Sequence, residues 1–389
     1  MPTVYLDHAA TTPLDPAVFD AMEPYLREHF GNASSVHQLG RAARVALEEA
    51  RERVAACLGA EPSEIVFTSG GTESDNMAIK GALAARRGEG RTGLVTSAAE
   101  HEAVLRPAER MQEEGGDVTI LSPAPHGAVA PEQVADAIDD TTAVVSLMHA
   151  NNETGVLTDV PAVADVCHAH DVWFHCDAVQ TAGLFDLDVN DLGVDALSVS
   201  GHKFYGPKGI GVLFVRGGID LGPLVEGGAQ ERERRGGTEN LAAIVGLAEA
   251  LERATDAAAE RTDRLARLQR RLVDGLDAAV DGPYVLTTPI DDAPVAPHVV
   301  NVAFPPEDGR RVDGEMLILN LDMHGVLVSA GSACTSGAMA PSHVLTALGL
   351  DRETAATGVR FSLGKDTTPE DVDYALNTLR DTLQRMRGG

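Results

Sequence analysis

A chain of 389 residues can fold as two or three structural units, and with 44% hydrophobic residues it can bury a large core, so its acidity does not signal disorder. The formal net charge of −28 disfavours direct contact with nucleic acid or an anionic membrane, and acids spread along a lysine-poor chain suit high salt. No apolar run reaches the roughly 18 residues of a membrane span, and MPTVYLDHAATTPLDP has no basic segment before an apolar one, so a cytoplasmic protein is expected.

Taken in order, the chain opens with YLDHAATTPLDP, whose turn residues and two prolines suggest an extended arm. GNASSVHQLG follows, then a helix from about Arg41 to Leu58. From Ile65 onward, strands alternate with helices: IVFTSG, GLVTSA, VTIL, AVVSLMHA, VWFHCDA, ALSVSG and IGVLFV. Such alternation predicts an α/β fold with a mainly parallel, doubly wound sheet. Near residue 258 the pattern changes. A helix over about Ala259 to Val280 leads to the shorter strands PHVVNVAF, GVLVSAG and GVRFSLG and a last helix from about Pro369 to Arg387, a smaller α+β unit. The expected division is a large domain at 15–258 and a small one at 1–14 plus 259–389, with the arm packing on the latter.

Several strand ends carry residues suited to chemistry. SGGTESDN places Gly71 and Thr72 at a helix start, where free backbone N–H groups attract phosphate, with Thr72 and Asp75 at capping-box spacing; an ordinary helix start would read the same. His101 in EHEAV and Asn151 and Asn152 in HANNETG lie just past predicted strands. In HCDAVQTAG, alternation puts Trp173, His175 and Asp177 on one face, so Asp177 emerges at the strand end, where a carboxylate can hold a cationic ring nitrogen. A rival reading makes Cys167, His168, His170, His175 and Cys176 a metal site, against zinc-type spacing.

Lysine occurs only as Lys80, Lys203, Lys208 and Lys365. In SVSGHKFYGPKG, Lys203 sits just beyond a strand, between His202 and the aromatic pair Phe204 and Tyr205. Partial burial there would favour the neutral amine that Schiff-base chemistry needs, although a surface lysine in a hairpin remains the plain alternative. Four cysteines make no CxxC and no disulfide framework. Cys334 in SAGSACTSG has only small neighbours, which describes an accessible thiol on a loop at about 327–341.

Ten segments in register, YLDHAATTP, GNASSVH, SGGTESDN, EHEAV, NNETG, HCDAVQTAG, SGHKFYGPKG, RRGGTEN, SAGSACTSG and GVRFSLG, resemble the cysteine desulfurases of the NifS/IscS type, in the class V aminotransferase group. The resemblance runs from Tyr5 to about Tyr374 and implies the fold type I of pyridoxal-phosphate-dependent transferases, with a seven-stranded sheet in the large domain. It implies that Lys203 forms the internal aldimine, that Asp177 pairs with the pyridine nitrogen, that Gln180 bonds the ring hydroxyl and that His101 stacks on the ring. Gly71, Thr72, Ser200 and His202 would hold the phosphate, joined by Thr238 from the other subunit of a homodimer, and Asn152 and Arg360 would receive the substrate carboxylate. L-cysteine would become L-alanine as Cys334 takes the sulfur as a persulfide, for delivery to an iron–sulfur scaffold or a tRNA-thiolating enzyme. Ala33 and Thr154 depart from the commoner GNPSS and NNEIG without removing a chemical group. The alternatives keep the cofactor but change the reaction (selenocysteine lyase, aminotransferase or another lyase), or make the chain a non-enzymatic sulfur relay.

Overall fold

The computed structural model describes residues 2–307, 311–330 and 341–388. The strands, in chain order, are β1 (Val4–Tyr5), β2 (Ile65–Thr68), β3 (Gly93–Ser97), β4 (Val118–Leu121), β5 (Thr142–Met148), β6 (Trp173–Asp177), β7 (Ala196–Ser200), β8 (Gly211–Val215), β9 (Val285–Leu286), β10 (Val299–Ala303), β11 (Val326–Leu327) and β12 (Val359–Ser362).

Seven of them form one sheet in the order β2-β8-β7-β6-β5-β3-β4. Only β8 is antiparallel to its neighbours, so the expected mainly parallel seven-stranded sheet is present. The reversal follows from the tight turn at Gly201–Ile210, which is too short for a parallel crossover. Apolar layers cover both faces. On one, Leu197, Val199, Val145, Phe174 and Phe67 pack with the helices Gln38–Cys57 and Leu241–Asp256; on the other, Val66, Leu94, Val144 and Leu213 pack with Gly71–Arg86. Strands buried on both sides read as near-continuous apolar runs, and each fully buried Val, Leu or Phe contributes about 1.5–3 kcal/mol.

A second core gathers Leu6, Leu268, Leu272, Val300, Phe361 and Leu379. It lies between the antiparallel sheet β12-β10-β9 and the helices Ala258–Asp274 and Pro369–Gly388. The arm joins this part through β1, which pairs in parallel with β11, and through a bridge between Asp7 and Ser362.

Three local expectations need correction. The helix predicted over 259–280 breaks at Gly275, where Leu376 packs so closely that a Cβ would stand 2.3 Å from its Cδ1. Pro16 does not extend the arm but opens the helix Pro16–Arg27, capped by Asp15, whose carboxylate accepts from Ala17 N at 2.9 Å. The capping box at Thr72 and Asp75 does not form, because the helix starts one residue earlier at Gly71 with Gly70 as its cap. Glu73 accepts from Ser69 N instead, and Asp75 turns into the interior, 1% exposed.

Candidate active site

The C-terminal ends of β5, β6 and β7 and the start of the helix Gly71–Arg86 enclose a cavity of about 250 Å³. In open α/β sheets ligands bind at this edge. Strand pairing aligns Met148 with Asp177 and Asp177 with Ser198, which levels the ends of β5 and β6 and lets β7 run two residues further, to Ser200. Gly71, Thr72, His101, Asn152, Asp177, Gln180, Ser200, His202 and Lys203 all line the cavity, together with Ala10, Asp75, Met148, Ala150 and Val179.

Lys203 ends a single 3-10 turn, Gly201–Lys203, directly after β7. Its Nζ donates to the carbonyls of Ala9 and, at 3.0 Å, Ala10, so the N-terminal arm closes this side of the cavity. The turn is held from both ends. Thr12 Oγ1 donates to His202 O at 2.9 Å and accepts from Tyr205 N at 2.8 Å, which fixes Tyr205 at a φ of 68°. Burial pushes the Lys203 ammonium down to about 8, helped by Arg360 and opposed by Asp177 and Asp7. Near neutral pH a far larger share of this side chain is then neutral than for an ordinary lysine.

Opposite stands a buried acidic group. Asp177 accepts from Val179 N at 2.9 Å, and Glu100 accepts from Met148 N at 3.0 Å; a second oxygen of Glu100 and Oδ1 of Asp75 have no hydrogen-bond partner. Burial pushes all three carboxyls up, and the charge of Asp177 adds to the rise at Asp75 and Glu100. Carboxyls this short of counter-charge favour a cation beside them. His175 does not supply it: burial pushes it down to about 3, and its nitrogens bond Ser146 Oγ and Ser198 Oγ, each at 2.9 Å. That arrangement also disperses the rival metal set, since Cys167 and Cys176 face the apolar core.

His101 caps the helix Glu102–Glu113, accepting from Ala103 N at 3.1 Å through Nδ1, so its hydrogen is on Nε2; burial lowers its pKa, with Asp177 working against the fall. Arg360, 3% exposed on β12, donates to Asn152 O at 2.7 Å and to Asp7 Oδ1 at 3.0 Å, while its Nε is buried without a partner. Thr238 lies in a neighbouring cavity with Ser69, Arg235 and Asn240. Cys334 lies outside the described residues.

The aminotransferase class-V family model matches residues 4–375. The chain belongs to the class-V aminotransferase family. Within it, the chain is 43% identical to the cysteine desulfurase IscS of Dictyoglomus turgidum, over 99% of this chain and 95% of that protein. Among solved structures, a NifS-like protein superposes with a TM-score of 0.90 at 36% identity, covering 98% of this chain and 100% of the other. A structure described as SspA in complex with cysteine gives 0.80 at 37%, covering 93% and 99%.

A class-V enzyme of this kind depends on pyridoxal 5′-phosphate, and the residues present fit it. Gly71 opens one end of the cavity: a Cβ there would come within 2.8 Å of Val179 Cγ2 and crowd the helix N-terminus that a phosphate needs. The acidic group suits a protonated ring nitrogen, and the half-buried, partly neutral Lys203 suits an aldehyde. Sequence reasoning missed Asp7, Glu100 and His298, and took Asp75 for a cap.

Proposed function

We propose that this chain is a cysteine desulfurase that converts L-cysteine to L-alanine and keeps the sulfur on Cys334 as a persulfide. The observation that carries this is the meeting of Lys203, Asp177, His101 and Asn152 in one cavity. Lys203 would carry the cofactor, Asp177 its ring nitrogen, Gln180 its ring oxygen, and Gly71, Thr72, Ser200 and His202 its phosphate; His101 would lie against the ring. When bound, pyridoxal phosphate supplies a sink for the electrons of the substrate Cα–H bond. Arg360 and the Asn152 side chain, whose Oδ1 is buried without a partner, orient the substrate carboxylate. The Lys203 amine would take the Cα proton, and His101 would manage the thiol proton.

Cys334 then attacks the substrate sulfur. An S–S bond forms, the C–S bond breaks with its electron pair passing to carbon, a proton adds there, and alanine leaves. Among the other cysteines, burial pushes Cys57 up to about 11 and Cys167 up to about 12 and raises Cys176 well above the usual thiol range, so none is a ready thiolate. Residues on both sides of the Cys334 segment touch the site: Ser329 pairs with the Arg360 backbone, and His343 donates to Glu100 O at 2.9 Å.

The reading extends to a homodimer in which Thr238 completes the partner's phosphate site. Exposed Leu26, Phe30, Val36 and Val45 support a covered surface. It further divides the chain into the large domain 15–258 and the small domain 1–14 with 259–389, and places the enzyme in the cytoplasm of a salt-adapted cell. No helix among the described residues is long and apolar enough to cross a membrane. An iron–sulfur scaffold or a tRNA-thiolating enzyme would accept the sulfur. The test incubates purified enzyme with L-cysteine in high salt, quantifies alanine, and maps added sulfur by peptide mass spectrometry. Alanine formed with one extra sulfur on Cys334 is the expected result. Alanine formation undiminished in Cys334→Ser would remove the thiol from the reaction.

A further inference from the structure

Gln180 stands where the cavity meets the interior of the protein. Its amide nitrogen lies 3.0 Å from Ala9 O and its amide oxygen 3.2 Å from His298 Nε2. A backbone carbonyl only accepts, so the group facing Ala9 has to be the NH₂, and the oxygen faces His298. That oxygen only accepts in its turn, so His298 carries its hydrogen on Nε2. Nδ1 is left as a bare acceptor. It is buried without a partner, and the ring borders a cavity of about 30 Å³, shared with His8 and Lys203. Burial, with Arg360, His8 and Lys203 close by, pushes His298 down to about 3, so the ring stays neutral with a single donor.

The backbone holds His298 in place. It immediately precedes β10, its carbonyl accepts from Leu363 N at 2.7 Å, and Leu363 follows the strand that carries Arg360. Of the two hydrogens on the Gln180 nitrogen, one goes to Ala9 and the other is free for the cavity.

We infer that His298 is a positioning residue that locks the Gln180 amide with N–H, rather than oxygen, toward the ring oxygen of the bound cofactor. The inference rests on the assignment of Gln180 to that ring oxygen. Without the histidine donor the amide can turn over, since one neutral hydrogen bond biases two orientations by only about threefold to tenfold. An N–H on the ring oxygen steadies its negative charge and so eases loss of the proton on the neighbouring nitrogen. An amide oxygen there has the opposite effect.

The test is a double-mutant cycle on the cofactor-loaded enzyme, read as the pH midpoint of the cofactor's visible absorbance, with melting temperature as the control for folding. Gln180→Ala should raise the midpoint by about half a unit or more, His298→Phe should raise it by a smaller but measurable part of that, because Ala9 O still favours the amide nitrogen, and His298→Gln, which restores an N–H donor, should bring it back toward the parent value. Combined with Gln180→Ala, His298→Phe should add nothing further. The proposal is overturned if His298→Phe leaves the midpoint unchanged while Gln180→Ala moves it, or if its shift persists undiminished in the double variant. A Gln180→Ala variant with an unmoved midpoint would instead show that Gln180 does not serve the ring oxygen, and the inference would fall with that assignment. Should His298→Phe fail to fold, His298→Met, which also lacks a donor, carries the same cycle.

Discussion

The wall of the cavity that carries Asp177, Ser200 and Gly71 stands on fully buried strand ends and a 16-residue helix, whereas the opposite side, with Arg360, Asp7 and His298, stands on a three-stranded sheet and an arm paired over two residues. The first side is placed by hydrophobic burial and strand register, which tolerate little adjustment. The second is held by polar links: Arg360 to Asp7, His298 to Gln180, and Lys203 to the carbonyls of Ala9 and Ala10. Changes on the first side should therefore decide whether chemistry occurs, and changes on the second should tune affinity and pH response.

Removing the covalent anchor gives the largest effect. Lys203→Ala should abolish the lysine-linked visible absorbance and cut alanine formation by more than about a thousandfold, since both the attachment point and the Cα base are lost. Turnover within tenfold of the parent enzyme would take Lys203 out of the chemistry. Next comes Arg360→Lys, which keeps the charge but loses the planar fork. KM for L-cysteine should rise roughly tenfold to a hundredfold with a smaller change in kcat. A large fall in kcat at unchanged KM would instead place Arg360 among the groups that act in the transition state, and the contrast between the two sides would weaken.

The same contrast explains what could be read from sequence. Residues at strand ends were legible because a β-rich run closed by glycine, as before Lys203 at Ser200, or an alternating run, as at Asp177, announces both the strand and the place where its last side chain emerges. Asp75 was misread because capping spacing depends on the first helical residue, and a start one position earlier turns the carboxylate inward. The helix Leu241–Asp256 went unread because its run from Ala242 to Ala248 is buried throughout and holds no polar residue to mark an outer face. Asp7 and His298 carry no local signal: their partners Arg360 and Gln180 lie 353 and 118 residues away, a proximity that only the packed arm and small sheet create.

Asp7 offers the smallest effect and the sharpest reading of the second side. In Asp7→Asn the amide oxygen can still accept from Arg360 Nη2, so the guanidinium keeps its place while the negative charge disappears. Removing that charge beside the carboxylate site is worth on the order of 1 kcal/mol at a dielectric between protein and water, so KM for L-cysteine should fall about fivefold at nearly constant kcat. A second readout follows from Lys203. Its pKa of about 8 is lowered first by burial, and Asp7 works against that by favouring the ammonium. Capture of pyridoxal phosphate by apoenzyme requires the neutral amine, so its rate should climb as pH rises through about 8 and level off above, and in Asp7→Asn the midpoint should move lower. A KM that rises while the midpoint falls would show that Asp7 serves mainly to hold Arg360 still. A midpoint that stays put would mean that the arm acts on Lys203 through its carbonyls alone.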